Sequence, residues 1–319
     1  FEQLVRRTPT YAIWDDHDFG PKHNLNGGFG ANERNVFGPT GNQGIEYSHG
    51  WKPSGPRGAV DEIWQVSQNR ALGNWVGFRG DGSYDPAFRS GLNNPAGNDN
   101  GQAINVHDGS NHNLIEGNYC ASPWMGIQVM SPNSRGNIIR ENQIGISPRG
   151  QRAPMSQWGI RVRIGTRDDR IIGNVIRRAA LGGIGLTDRN VLNVRISKNL
   201  VFGTSGLGID LFGRQGRDAN DAGDLDEGAN HLINSPVIKR ATRTFVRGRG
   251  IPGARVEVFK ASRRAGSYGL PARYLGRTTV GADGVWRRTI SLKSGARVTA
   301  LQIGGSDNTS ELGVNVTVE

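Results

Sequence analysis

The feature that most constrains this chain is a repeat. Four segments, NLIEGNYCA, NIIRENQIG, RIIGNVIRR and VRISKNLVF, each set an asparagine among aliphatics and follow it with another apolar residue. Those asparagines, Asn118, Asn142, Asn174 and Asn199, are spaced 24, 32 and 25 residues apart. A second motif trails each one: GIQVM from Gly126, GIRVRI from Gly159, GIGLTD from Gly183 and GIDLFG from Gly208, spaced 33, 24 and 25 apart. The pair recurs less regularly upstream in RNVFG with QGIEY, in NRALGNWVGF and in GQAINVHD.

A period near 24 with several short strands per repeat predicts a parallel β-helix, whose coils stack at the ordinary interstrand spacing of about 4.8 Å. Within each Gly-Ile motif the aliphatics alternate. Ile104 and Val106, Ile127 and Val129, Ile160 and Val162, Ile184 and Leu186, and Ile209 and Leu211 are therefore expected to stack inward. The repeated asparagine belongs at a turn, forming a ladder of amide hydrogen bonds along the axis. The long step predicts an insertion, Ser147 to Gln157, projecting as a loop. Leucine-rich and helical repeats fit less well, because the alternation has period two. The 48 glycines also suit turns better than helices, where each costs about 1 kcal/mol.

On these motifs, residues 26–234 resemble the secreted bacterial right-handed parallel β-helix proteins of the pectin-lyase-like architecture. GLGIDLFGRQGRDANDAGDLDEGANHLINSPVI is similar to the way such domains end. The resemblance implies the fold, a secreted or cell-surface location, and a groove across the outer coils where polysaccharide is bound, or bound and processed.

After Pro236 the period changes. GARVEVFK, RYLGRTTV, GVWRRTISL and RVTALQI read as strands separated by Pro-Gly, Ala-Asp-Gly and Gly-Gly turns. The segment resembles a bacterial Ig-like module, whose usual ending is echoed in TALQIGGSDNTSEL. The expected fold class is all-β. A segment at 1–25 acts as a cap, a right-handed parallel β-helix occupies 26–234, and an Ig-like β-sandwich occupies 235–319.

Charge follows the same division. Of the 39 Lys and Arg and 28 Asp and Glu, residues 235–319 hold 15 and 5, a balance of +10, leaving 24 and 23 elsewhere. A basic C-terminal region suits an extracellular polyanion, with an acidic polysaccharide favoured over nucleic acid. No apolar run approaches the roughly 20 residues of a membrane span. Cys120 is the single cysteine, so neither an internal disulfide nor a cysteine-based zinc site is available. A start at Phe1 suggests that a leader or upstream region precedes it. The repeat does not define an oligomeric state.

Three groups of residues carry candidate chemistry. Between the inward aliphatics, Asn105 and His107, Gln128 and Met130, Arg161 and Arg163, and Asp210 face outward in a column, with Asp188 at its edge. There His107 or Asp210 would act as a base and Arg161 or Arg163 would neutralise a uronate, as a polysaccharide lyase or glycoside hydrolase requires. Asn105, Gln128 and Asp188 would hold substrate. An adhesin or structural module would bind through the same fold without turnover.

The second group, RDANDAGDLDEGAN, places Asp218, Asp221, Asp224, Asp226 and Asn230 around Gly223 and Gly228, an oxygen-rich loop suited to Ca2+. The third, Trp14-Asp15-Asp16-His17-Asp18, resembles the WDDHD motif of PhoD-type phosphatases. There Asp15, Asp16 and Asp18 would help hold a metal and His17 would move a proton. Only 13 residues precede Trp14, so the earlier strands that supply ligands in that family are not expected here. A phosphodiesterase or alkaline phosphatase remnant is thus an alternative reading.

Overall fold

The computed structural model describes residues 68–79, 81–84, 102–107, 109–211 and 216–319, with strand backbone also at Tyr11–Ala12, Val36–Phe37, Gln43–Tyr47, Gly50–Trp51 and Ile63–Trp64. The Gly-Ile motifs form a six-stranded parallel sheet through Gln43–Tyr47, Gln102–Val106, Met125–Val129, Trp158–Val162, Gly182–Leu186 and Ile209–Leu211. Its register sets Ile104, Ile127, Ile160, Ile184 and Ile209 one above another. All five are at most 3% exposed, as the alternation requires. Burying each such side chain stabilises the fold by about 1.5–3 kcal/mol.

Each coil then passes through a five-stranded sheet (Arg70–Leu72, Leu114–Glu116, Ile138–Arg140, Arg170–Ile172, Arg195–Ser197). It finishes in a seven-stranded sheet through Tyr11–Ala12, Val36–Phe37, Trp75–Val76, Tyr119–Cys120, Gln143–Ile144, Val175–Arg177 and Leu200–Phe202. The first of these strands lies in the segment read as the cap. Between the second and third sheets the chain turns on one residue with left-handed backbone, followed by the repeated asparagine. Glycine supplies that conformation at Gly73, Gly117 and Gly173, and Glu141 and Lys198 adopt it at φ 58°.

The asparagine ladder is present and longer than the four expected rungs. The backbone N–H and Nδ2 of Asn74 both donate to Oδ1 of Asn118. The same pair of bonds links Asn118 to Asn142, Asn142 to Asn174 and Asn174 to Asn199. Each inner Nδ2 donates a second time, to the carbonyl of Ala71, Ile115 or Ile139 in the preceding coil. A second ladder runs five residues upstream, from Asn69 to Asn113 to Asn137 and then to the carboxylate of Asp169. Its first asparagines stand at the head of the very segments that revealed the repeat.

The insertion does not project. Ser147 Oγ accepts from the N–H groups of Arg149 and Gln151, folding the loop on itself. Gln151 Oε1 accepts from Tyr84 N–H, and Arg149 lies 3.3 Å from Asp81. Ala153 packs with Phe78 and Ala121 in a small apolar cluster bordered by Trp75, Tyr84 and Tyr119. Ala153 draws the loop onto the outside of the coils, and Met155 anchors it in the β-helix core.

Residues 235–319 form two antiparallel sheets, one of three strands (Val237–Ala241, Phe245–Arg249, Val285–Thr289) and one of four (Arg255–Ala261, Pro271–Thr279, Arg297–Ile303, Val316–Thr317). They share a core that includes Val246, Val256, Val258, Trp286 and Val298. A second set of their apolar side chains, Phe259, Leu270, Leu301, Ile303 and Leu312, belongs instead to the β-helix core, where they cover its last coil. The polar groups of that coil are met as well. Glu257 accepts from Ser197 Oγ and Lys198 N–H, Thr309 Oγ1 from Ile196 N–H, Asn308 Oδ1 from Asn193 N–H, and Glu311 from Leu211 N–H. The Asn-Thr-Ser-Glu stretch noted in the sequence thus caps what would be an open sheet edge. No α-helix occurs among the described residues, and none there is long and apolar enough to cross a membrane.

Candidate functional site

The outer face of the six-stranded sheet carries the column expected from the repeat. Asn105, Gln128, Arg161, Gly185 and Asp210 stand in register, one per coil. Their exposure differs from the expectation. Asn105 and Gln128 are each 3% exposed and Asp210 is 1% exposed, whereas Arg161 is half-buried. The accessible part of the face lies toward the strand ends, where His107, Met130, Arg163, Thr187 and Asp188 are all half-buried.

Trp158 explains part of this burial. A Cβ at Gly185 would come 2.8 Å from its ring and one at Gly182 2.3 Å, so the glycines of the next coil make room for the indole. The ring is 3% exposed and interrupts the polar column at Gly185. Trp158 was legible as the residue ahead of Gly159-Ile160, but only the contact with the following coil reveals its position.

The polar groups are ordered by one another. Gln128 Nε2 donates to Asn105 Oδ1 at 3.2 Å, while Gln128 Oε1 is buried with no donor among the described residues. Gln102 Oε1, in the preceding coil, is in the same state. Arg161 Nε donates to Thr187 Oγ1 at 2.9 Å. Burial and the neighbouring Arg163 push the Arg161 guanidinium below its ordinary pKa, and Asp188 opposes them. Asp188 accepts from Ile164 N–H at 3.0 Å and lies 3.7 Å from Arg163.

Asp210 is placed differently from the base that the column suggested. It lies near Glu311, whose carboxyl burial pushes up to about 8, the Leu211 N–H opposing this while Asp218 and Asp210 add to it. Asp210 therefore sits at the junction with the C-terminal sheets, two coils from Arg161. Among the described residues of the accessible strip Asp188 is the carboxylate, and it is already paired. Those residues offer hydrogen bonds and positive charge, and no second carboxylate among them faces Asp188.

In the oxygen-rich loop, Asp221, Asp224 and Asp226 each offer an oxygen within 4.8 Å of the others. Asn234 holds this loop closed: its Oδ1 accepts from Asp221 N–H, its Nδ2 donates to the Asp221 carbonyl, and its own N–H donates to Asp224. Burial and the two neighbouring carboxylates raise the Asp226 pKa. Asp221 Oδ1 and Asp226 Oδ1 are buried without a donor among the described residues, so the three carboxylates could hold a hard cation. Asn230 is elsewhere. Its Oδ1 accepts from Val194 N–H and its Nδ2 donates to the carbonyls of Val194 and Thr309, which commits the amide to ending the second ladder. Asp218 is not among the three grouped carboxylates. Asp15, Asp16, His17 and Asp18 lie outside the described residues.

A family model described as a right handed beta helix region matches residues 61–220, half of the chain. No curated protein matches it.

Proposed function

Because this chain belongs to the right-handed β-helix family, whose domains are commonly carbohydrate-active, we propose that it binds an extracellular polysaccharide along the outer face of its six-stranded sheet. The observation that carries this reading is the accessible strip toward the strand ends, where Arg161, Arg163 and Thr187 set hydrogen-bond donors and positive charge beside His107 and Asp188 on successive coils. Arg161 and Arg163 meet an acidic group of the sugar, and the buried Asn105 and Gln128 amides and the Trp158 indole form the floor beside them. With Asp210 buried and Asp188 paired, the face acts by binding. The protein works at the cell surface or in the medium, where such polymers lie, and the C-terminal sheets serve as an Ig-like adhesive unit.

The test is affinity electrophoresis of the full chain against a panel of neutral and acidic glycans, alongside Arg161→Ala/Arg163→Ala. Retardation by one glycan that weakens about tenfold in the variant is expected, since two polar contacts are lost. Equal retardation of both proteins by every glycan would sink the reading. Turnover, read as new reducing ends or unsaturated uronate absorbance, would convert the face from a binding site into an active site.

We further infer that Ca2+ seats on Asp221, Asp224 and Asp226, supported by the buried oxygens of Asp221 and Asp226 that have no donor among the described residues. Titration calorimetry should detect one ion, and Asp221→Asn/Asp226→Asn should abolish the heat. Identical heats from both proteins would refute it.

A further inference from the structure

The five acidic side chains of residues 235–319 are all engaged. Glu257 and Glu311 cap the last coil, Asp307 lies 3.8 Å from Arg195 and 3.9 Å from Arg255, Glu319 meets Arg240 at 3.0 Å, and Asp283 accepts from Val285 N–H. Three of the five thus serve the junction with the β-helix. Most of the 15 cations of this region are left without a counter-charge.

Four of them surround one cavity. It has a volume of about 720 Å³ and is lined by Arg243, Lys260, Arg273 and Lys293 together with Ser291 and Ser294. None of the four charged side chains has an ion pair or side-chain hydrogen bond among the described residues. Lys260 and Arg273 stand directly opposite each other on neighbouring antiparallel strands. Like charges so placed are destabilising. The cavity falls within the roughly 300–1,000 Å³ of small-ligand sites. Guanidinium forks, ammonium groups and hydroxyls suit planar or tetrahedral oxyanions.

The positive surface continues beyond the cavity. Arg243 lies in the turn joining two strands whose register sets Arg240 against Arg247, and a third strand sets Arg287 against Arg247. Arg287 is held over the Phe245 ring at 4.2 Å. A basic cavity joined through Arg243 to strands that carry further arginines suits a polymer better than an isolated anion.

We propose that this cleft binds an acidic polysaccharide, seating uronate carboxylates or sulfate esters among Arg243, Lys260, Arg273 and Lys293. The choice of a polysaccharide rests on the reading given above for the β-helix face. The site adds a second, charge-driven contact for a chain that crosses both parts of the molecule.

The experiment measures binding of the full chain to polygalacturonate, dextran sulfate, neutral dextran and duplex DNA at several salt concentrations. Lys260→Ser/Arg273→Ser is compared with Arg161→Ala/Arg163→Ala. The cleft variant should bind the acidic polymers about tenfold more weakly or worse, through lost charge-assisted contacts. Its Tm should be unchanged or higher, because an opposed like-charge pair is removed. Affinity should fall as salt rises. Polygalacturonate and dextran sulfate distinguish carboxylate from sulfate. Unchanged affinity in the cleft variant overturns the proposal, whatever the face variant does. Equal binding of neutral dextran, or tighter binding of duplex DNA than of either acidic polymer, overturns it too. Loss in the cleft variant with a face variant indistinguishable from the parent supports the cleft and removes the reading of the face.

Discussion

The ladder through Asn74, Asn118, Asn142, Asn174 and Asn199 carries an amide at every rung, whereas the one five residues upstream passes from Asn69, Asn113 and Asn137 to a carboxylate at Asp169 and an aliphatic at Val194. The geometry of the two is alike: an Oδ1 accepts both the backbone and the side-chain N–H of the coil before it. Their chemistry differs because an amide also donates. In the second ladder Asn137 Nδ2 still reaches the Ser110 carbonyl, but Asp169 Oδ2 is buried without a partner among the described residues. Val194 offers no side-chain acceptor, and Asn230 is brought in from the following loop to receive its N–H. An amide ladder is thus independent of pH, and one carboxylate makes its neighbour responsive to it. Burial pushes Asp169 up to about 7, with Asp168 adding to the effect and the two Asn137 donors opposing it.

Breaking the amide ladder should have the largest effect. Asn142→Ala leaves the backbone N–H of Asn118 without its acceptor and removes one bond each from Asn118 Nδ2, the Ile115 carbonyl and Asn174 Oδ1, Nδ2 keeping the Ala71 carbonyl and Oδ1 keeping the backbone N–H of residue 142. At about 1–3 kcal/mol for the orphaned N–H and about 1 kcal/mol for each of the other bonds, a loss of about 5 kcal/mol is expected in denaturant unfolding. A loss below about 1 kcal/mol would mean that water replaces the rung.

Making the ladders alike is the next step. Asp169 holds its proton more tightly folded, near 7, than unfolded, near the ordinary 3.8. Its contribution is therefore fully present below about pH 4 and lost as pH rises through 7. Asp169→Asn should remove this dependence and exceed the parent by about 3–4 kcal/mol at pH 8, the two converging toward pH 4. Parallel stability–pH curves for the two proteins would contradict it.

The hand-over at the end of the second ladder should matter less. Asn230→Ala leaves Val194 N–H and the carbonyls of Val194 and Thr309 without that amide, and about 2–3 kcal/mol should be lost. Hydrogen exchange should accelerate first at Val194 and around Thr309. Uniform acceleration across the coils would show that the amide does not act locally.

The smallest effect concerns the turn that precedes each rung. Glu141 adopts the left-handed backbone that Gly117 and Gly173 adopt at the same place. Glu141→Gly should raise stability by up to about 1 kcal/mol by relieving that conformation, with Gly117→Ala moving the other way. A rise in Tm for Gly117→Ala would end that part of the comparison.

The amide ladder was legible because its asparagine recurs in four aligned segments. The other was not legible, although Asn113 and Asn137 open two of those segments, because Asp169 and Val194 break the column. The Gly-Ile stack was legible for the same reason as the first ladder, each coil restating it. The insertion gave its length away but not its fate, since the packing of Ala153 on Phe78 joins residues from different coils. The outward column was readable as a column. Its burial was not, because Trp158 covers a glycine of the following coil.

By itself, the sequence determined the β-helix, its inward stack and its change of period after Pro236. A repeated coil contacts mainly its neighbours, so a local pattern, restated, is enough to specify it. Only the tertiary structure decided what the non-repeating residues do. It turned Glu257, Asp307 and Glu311 toward the last coil, buried Asp210 beside Glu311, and left Arg243, Lys260, Arg273 and Lys293 together around a cleft. Burial and counter-charge depend on which distant surface packs over a side chain, and no periodicity encodes that.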